Sequence, residues 1–393
     1  MSDETKEIKL ESQGWTRRKV FDAVSLTSLG VAAALTTERA SAAPPQEGKK
    51  IEDLEDFKYD LEKQTHWVGP GGSAKEATVE EFPVSQSIAG VSMRLEAGAI
   101  RELHWHSLAA EWAYMIEGKC RATVITPEGQ ADVADFGVGD TWYFPRGHGH
   151  VLQALTACHF LLVFDNGHFS EFGTFSITDW INNTPPDVLA RNLNLPAAAF
   201  AQFPKKELYI GPGIVPPATL EPYRNADIEP GQSNHKYRMD ASPARTFPGG
   251  TEHLVSSKEF PIQTTLTAVK MTLQPGALRE MHWHPHADEW QYILKGRSRV
   301  RIFGSHGRTK TEEFAPGQVA FIKQGYGHYV EQLGNEPTEI LILFNSGEYQ
   351  EISLTNWLGG NPVSILQTNF PGISRAMIDQ LPKKEIGIIG RKG

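Results

Sequence analysis

The chain has 393 residues, 40% hydrophobic and 22% charged, which is length enough for two ordinary domains with sizeable cores. Its formal charge is −9, and the six basic and six acidic side chains of residues 1–43 cancel, so the rest is an acidic body that argues against nucleic acid as a partner. An anionic small substrate is not excluded, because a metal and one arginine can dominate the field inside a pocket. The two cysteines, Cys120 and Cys158, lack zinc-type spacing and leave open either two buried thiols or, in an oxidising compartment, one disulfide.

At the N-terminus, Thr16-Arg17-Arg18-Lys19-Val20-Phe21 precedes an apolar run from Ala23 to Thr37 and the small residues Ala40-Ser41-Ala42. That order is the layout of an export signal over residues 1–43, and the paired arginines make it twin-arginine-like, although the aromatic stands one place late and Asp22 is atypical. The run is too short to span a membrane, and no comparable run follows, so the expected mature protein is periplasmic or extracellular, with no membrane partner.

The remainder is a repeat. Glu81-Phe82-Pro83 matches Glu259-Phe260-Pro261, and Gly98, Arg101, Gly118 and Gly139 match Gly276, Arg279, Gly296 and Gly317, every pair 178 apart. The offset returns at Phe203–Glu207 and Leu381–Glu385, so two copies of one unit are expected, loops included. Within the first copy, VSMRLEAG, RELHWH, EWAYMIEG, CRATVITPEG, TWYFPRG, HVLQAL and HFLLVFDNG alternate or run apolar between Gly, Pro and Asn turns. Helical periodicity appears mainly after the strands, in ITDWINNTPPDVLARNLN and SRAMIDQL. The expected fold is all-β, an antiparallel sandwich or barrel per copy with short flanking helices. The expected division is an N-terminal domain over residues 44–211, a Pro/Gly-rich linker over 212–247 and a C-terminal domain over 248–393.

Chemistry enters at Arg101–Gly118. His104 and His106 lie two apart in a strand and share a face, and Glu111 follows within reach of the same point. His150, after a Gly139–Gly147 turn-strand-turn, supplies a third imidazole, and His282, His284, Glu289 and His328 repeat the set. Three imidazoles and a carboxylate leave positions on a six-coordinate metal for water or a bidentate ligand. His148, His159, His168 and His286 lack a partner at the offset and are read as surface or turn histidines.

The patterns G-x5-HxH-x4-E-x6-G and G-x5-P-x-G-x2-H resemble those of the cupin family, and two copies resemble a bicupin. More narrowly, RELHWH, AEWAYMIEG, GDTWYFPRGHGH, LLVFDNGHFSE and REMHWHPHADEWQYILKG are similar to the bicupin oxalate decarboxylases over roughly residues 50–390. Lys323 departs by standing where the second motif usually has proline. The resemblance implies a jelly-roll barrel per domain, manganese in each (the ligand set also suits iron), oxalate converted to formate and carbon dioxide, and trimers or hexamers of the chain.

The copies differ just after the barrel strands, where three extra residues separate Glu171 from Ser176 compared with Glu351 and Ser353. The resulting loop, SEFGTFS, has the makings of a lid, and the resemblance implies that Glu171 is the proton donor and acceptor. Phe172-Gly173-Thr174 depart from the usual Asn-Ser-Thr. Arg101, three residues before His104, needs a bend or bulge to reach the site, where its charge would hold a carboxylate. With dioxygen as co-catalyst, one-electron oxidation and proton removal would release carbon dioxide, and Glu171 would return the proton to carbon. Alternatives are an oxalate oxidase giving peroxide and a non-enzymatic metal- or carboxylate-binding bicupin. The second site, with Arg279 but no enlarged lid and with Ile342 where relatives often carry an acid, is read as structural or electron-relaying.

Overall fold

In a computed structural model, residues 53–65, 67–218 and 234–391 are described; the export signal expected over residues 1–43 and the middle of the expected linker lie outside the described residues. Among the described residues every strand pairing is antiparallel, and the strands form four sheets, one of seven and one of six strands in each barrel. Alternation drives the six-stranded sheets. In Gly149–Ala154 the residues His150, Leu152 and Ala154 turn inward while their neighbours are half-exposed, and Gly327–Leu333 repeats this with His328, Val330 and Gln332.

The strand Cys158–Phe164, by contrast, is buried at every position. Its apolar run from Phe160 to Phe164 is explained by a second contact, because the seven-stranded sheets of the two barrels face one another. Trp112, Tyr114, Leu161 and Val163 from the first barrel share one buried cluster with Trp290, Tyr292, Leu341 and Leu343 from the second. Contact is close enough that a Cβ on Gly90 would stand 2.3 Å from the Trp290 ring. The motif glycines Gly118 and Gly296 turn their hairpins at φ +72° and +75°, where a side chain is strained; at Gly118 a Cβ would also meet the Ala157 carbonyl at 2.1 Å.

The barrels also exchange edge strands. Lys58–Asp60 precedes the first barrel yet pairs with Gln318–Ala320 of the second, whereas Lys236–Tyr237 pairs with Thr141–Trp142 of the first. Each exchanged segment is pinned across the divide. The Tyr292 hydroxyl donates to Glu62 at 3.2 Å, and the Tyr114 hydroxyl and Lys270 ammonium donate to Asp240 at 3.1 and 2.6 Å. Linear division at residues 44, 212 and 248 does not anticipate this trade, because the short exchanged strands carry no pattern naming their partner sheet.

One sequence expectation is corrected. His159 is no surface histidine: it is buried, its Nε2 lies 2.9 Å from Ser92 Oγ, and burial, then Arg94, lower it to about 4. Helices also form at Leu354–Gly359 and Val363–Asn369, besides Ile177–Asn182, Pro186–Leu193 and Arg375–Asp379. Cys120 and Cys158 are both buried and free.

Candidate metal and active site

The strand Ile100–Trp105 places His104 directly opposite His150 of Gly149–Ala154, and Glu111 opens the strand Glu111–Glu117 beside them. The ligand atoms of His104, His106, Glu111 and His150 all lie within 4.8 Å of one another, and all four residues are buried. His282, His284, Glu289 and His328 form the same cluster in the second barrel, with His282 opposite His328.

The imidazoles are oriented by the backbone. Nδ1 of His104 donates to the Glu102 carbonyl at 2.6 Å and Nδ1 of His150 to that of His148 at 2.9 Å. In the second cluster His282, His284 and His328 donate likewise to Glu280, Gln350 and Tyr326. Such bonds set the tautomer and leave Nε2 free. The Nε2 atoms of His150, His284 and His328, and Oε2 of Glu289, are buried with no hydrogen-bond partner, a costly state in the absence of a ligand.

Charge agrees with this. Burial, then the Arg101 cation, hold His104 well below its ordinary value, and burial with Arg279 does the same to His282. For Glu111, burial alone would raise the carboxyl, but His150 and His106 outweigh it and lower it, and Glu289 is lowered in the same way by His328 and His284. His328 moves up, since Glu289 outweighs burial there. An ionised carboxylate among three buried imidazoles is the donor set a divalent cation needs, and it suits manganese or iron. The residues fit the group.

Arg101 arrives by the expected irregularity. Between His104 and Arg101 the pairing slips, so that Val151 of the partner strand faces two residues, Glu102 and Leu103, of this one, and Arg279 enters the second site identically. Arg101 is fully buried: Nε donates to Glu171 Oε1 at 2.7 Å, one terminal nitrogen donates to Thr174 Oγ1 at 2.8 Å, and the guanidinium lies 4.3 Å over the Tyr209 ring. Glu171 opens a short 3-10 turn, Glu171–Gly173, with Ser170 as N-cap, its hydroxyl accepting from Phe172 N–H. Its second carboxylate oxygen, Oε2, is buried and unpartnered.

Thr174 and Tyr209 were invisible as site residues in the sequence. Thr174 stood in the loop already singled out, but only the fold shows that its hydroxyl meets the arginine. Tyr209 comes from a segment 108 residues away from Arg101 in the chain.

The second barrel corrects the expected contrast in one respect. Glu351 also bonds Arg279, as does Glu252 at 3.3 Å, so the acid is present in both copies. What differs is how the loop is held: Gln350 is tied to the cluster histidine His284, whereas His106 Nδ1 has no partner. Trp105 and Trp283 pack outside the barrels, against Trp180 and Trp357 at 5.4 Å.

Comparison with known proteins agrees with this arrangement. The chain matches the cupin family over residues 60–199 and 240–371. It is 37% identical to the oxalate decarboxylase of Bacillus subtilis over 345 residues, covering 86% of this chain and 88% of that protein. The chain belongs to the bicupin oxalate decarboxylases. A probable oxalate decarboxylase of Arthroderma benhamiae is 34% identical to this bicupin, covering 81% of this chain and 79% of the relative. The structure of the Bacillus subtilis oxalate decarboxylase at pH 4.6 superposes with a TM-score of 0.80 at 36% identity, covering 89% of this chain and 91% of the other. Another structure of that enzyme, from work on its Mn(II) centres, gives a TM-score of 0.79 at 36% identity over 89% and 92% of the two chains.

Proposed function

We propose that this bicupin converts oxalate to formate and carbon dioxide at the first-barrel cluster, with manganese bound by His104, His106, Glu111 and His150 and with dioxygen as co-catalyst. The observation that carries this reading is Glu171: buried, held on Arg101 at 2.7 Å, with one carboxylate oxygen left unpartnered. Manganese, when bound, supplies a chelation point for a dicarboxylate and, with dioxygen, a one-electron sink. Arg101 holds and polarises a substrate carboxylate with a charge that the Glu171 anion, outweighing burial, keeps fixed.

Glu171 takes the substrate proton at Oε2. Once carbon dioxide departs, the remaining one-carbon fragment needs an electron and a proton at carbon, and Glu171 returns that proton. The site excludes water meanwhile, since Arg101 on its strand and Glu171 on the loop are 0% and 1% exposed. The net change is balanced: hydrogen oxalate yields formate and carbon dioxide. Manganese-loaded protein incubated with oxalate is expected to release formate as the main product. Peroxide without formate would make it an oxidase instead, and neither product would leave a binding protein.

The second cluster is read as structural or electron-relaying, because its arginine already faces two carboxylates, Glu252 and Glu351. Export through the signal at residues 1–43 and assembly into trimers or hexamers belong to the same reading. Apolar side chains exposed at matching places in both barrels, Leu103 with Met281 and Trp180 with Trp357, support assembly. The mass in solution and the N-terminal residue of exported protein check these two points; a monomer beginning at Met1 would contradict both.

A further inference from the structure

Glu76 lies outside the metal cluster, on the strand Gly72–Ala77, and has no role in the chemistry described so far. Its side chain turns toward the lid. Glu171 N–H donates to Glu76 Oε1 at 2.6 Å, and the Ser170 hydroxyl lies 3.3 and 3.1 Å from its two oxygens. Ser170 in turn accepts from Phe172 N–H at 3.2 Å, so one carboxylate on a rigid strand gathers the first turn of the lid. The second barrel lacks this device. Glu76 is opposite Val91 and its counterpart Leu254 is opposite Val269, and there the loop is tied through Gln350 to His284 instead.

We propose that Glu76 is a positioning residue that anchors Ser170 and Glu171 and so holds the lid closed, with the Glu171 carboxylate on Arg101. This rests on the reading of Glu171 as the proton carrier. A lid tied to a ligand histidine cannot lift without disturbing the metal site, whereas one tied to a strand carboxylate opens and closes independently. The extra loop residues supply the slack and Glu76 supplies the catch.

The catch is also sensitive to pH. Burial, then the charge of Glu171, push the Glu76 carboxyl up to about 7, against the hydrogen bonds from Glu171 N–H and Ser170. Glu81, from the turn after the same strand, raises it further, Tyr209 faces it from behind Arg101, and the Tyr59 hydroxyl donates to its carbonyl at 3.4 Å. With the lid open, solvent and the departure of Glu171 return Glu76 toward the ordinary carboxyl value. The closed lid therefore binds the extra proton: closure strengthens as pH falls from about 7 toward the ordinary carboxyl range and weakens as pH rises through it.

The test uses the full chain and two variants. Glu76→Leu, which installs the side chain type of the second barrel, is expected to lower kcat for formate by about ten-fold with a smaller change in KM, and to raise the peroxide share. In metal-free protein it should speed amide exchange across residues 169–174 by about ten-fold. Glu76→Gln keeps a carbonyl acceptor without a titrating proton; it should restore slow exchange and formate production and lose the change of kcat near pH 7. Lid exchange at the wild-type rate in Glu76→Leu, or an unchanged formate-to-peroxide ratio, overturns the proposal. If wild-type protein makes no formate, the oxalate reading fails, and amide exchange still decides whether Glu76 holds the lid.

Discussion

Glu171→Ala is expected to lower formate production from oxalate by at least about 100-fold, with both metal sites still filled. The loss follows from its position. Glu171 is the only described carboxylate that combines a bond to Arg101 with a buried, unpartnered oxygen, so removing it takes away the proton carrier. It touches none of the four cluster residues through a hydrogen bond, and the backbone-set imidazoles of His104 and His150 should keep their geometry. The fragment left after carbon dioxide departs would then lack its proton and be oxidised onward, so the residual turnover should shift toward peroxide. Product ratio and metal content measured on one preparation check both halves. Full formate production in this variant would move the chemistry to the second barrel.

Glu111→Gln and Glu289→Gln form a pair with opposite expected outcomes. In the first barrel the carboxylate lies 2.9 Å from His106 Nε2 and 3.2 Å from His150 Nε2, and its other oxygen accepts from Trp142 at 2.7 Å. An amide can keep the tryptophan bond but not the negative charge that attracts a divalent cation. Glu111→Gln should therefore lose one metal per chain and reduce formate by at least about 100-fold. Glu289→Gln should lose the other metal and keep formate within about ten-fold, if the second cluster is structural or electron-relaying. Elemental analysis with the formate assay separates the two, and equal losses of activity would contradict an unequal division of labour.

The clusters were legible because both rules behind them are local or periodic. Period-two alternation puts His104 and His106 on one face, and an unbroken offset of 178 supplied the second set without knowledge of any contact. His150 was legible only through its motif. Its position opposite His104 is a matter of register between strands far apart in the chain. The bulge that brings Arg101 inward could be inferred because three residues cannot separate two inward side chains on an ideal strand. His159 was misread because its partners are Ser92 on the neighbouring strand and Glu62 beside an exchanged strand, and neither leaves a trace near residue 159.

The sequence by itself thus determined the all-β class, the duplication, the eight cluster residues and the enlarged loop around Glu171, since each rests on residue type, periodicity or spacing. Tertiary structure alone decided which carboxylates meet which cations. It placed Glu351 and Glu252 on Arg279, Glu76 under the lid, and Thr174 and Tyr209 around Arg101. These contacts join segments tens of residues to about a hundred residues apart, where strand register and loop closure select the partner and no local pattern encodes it.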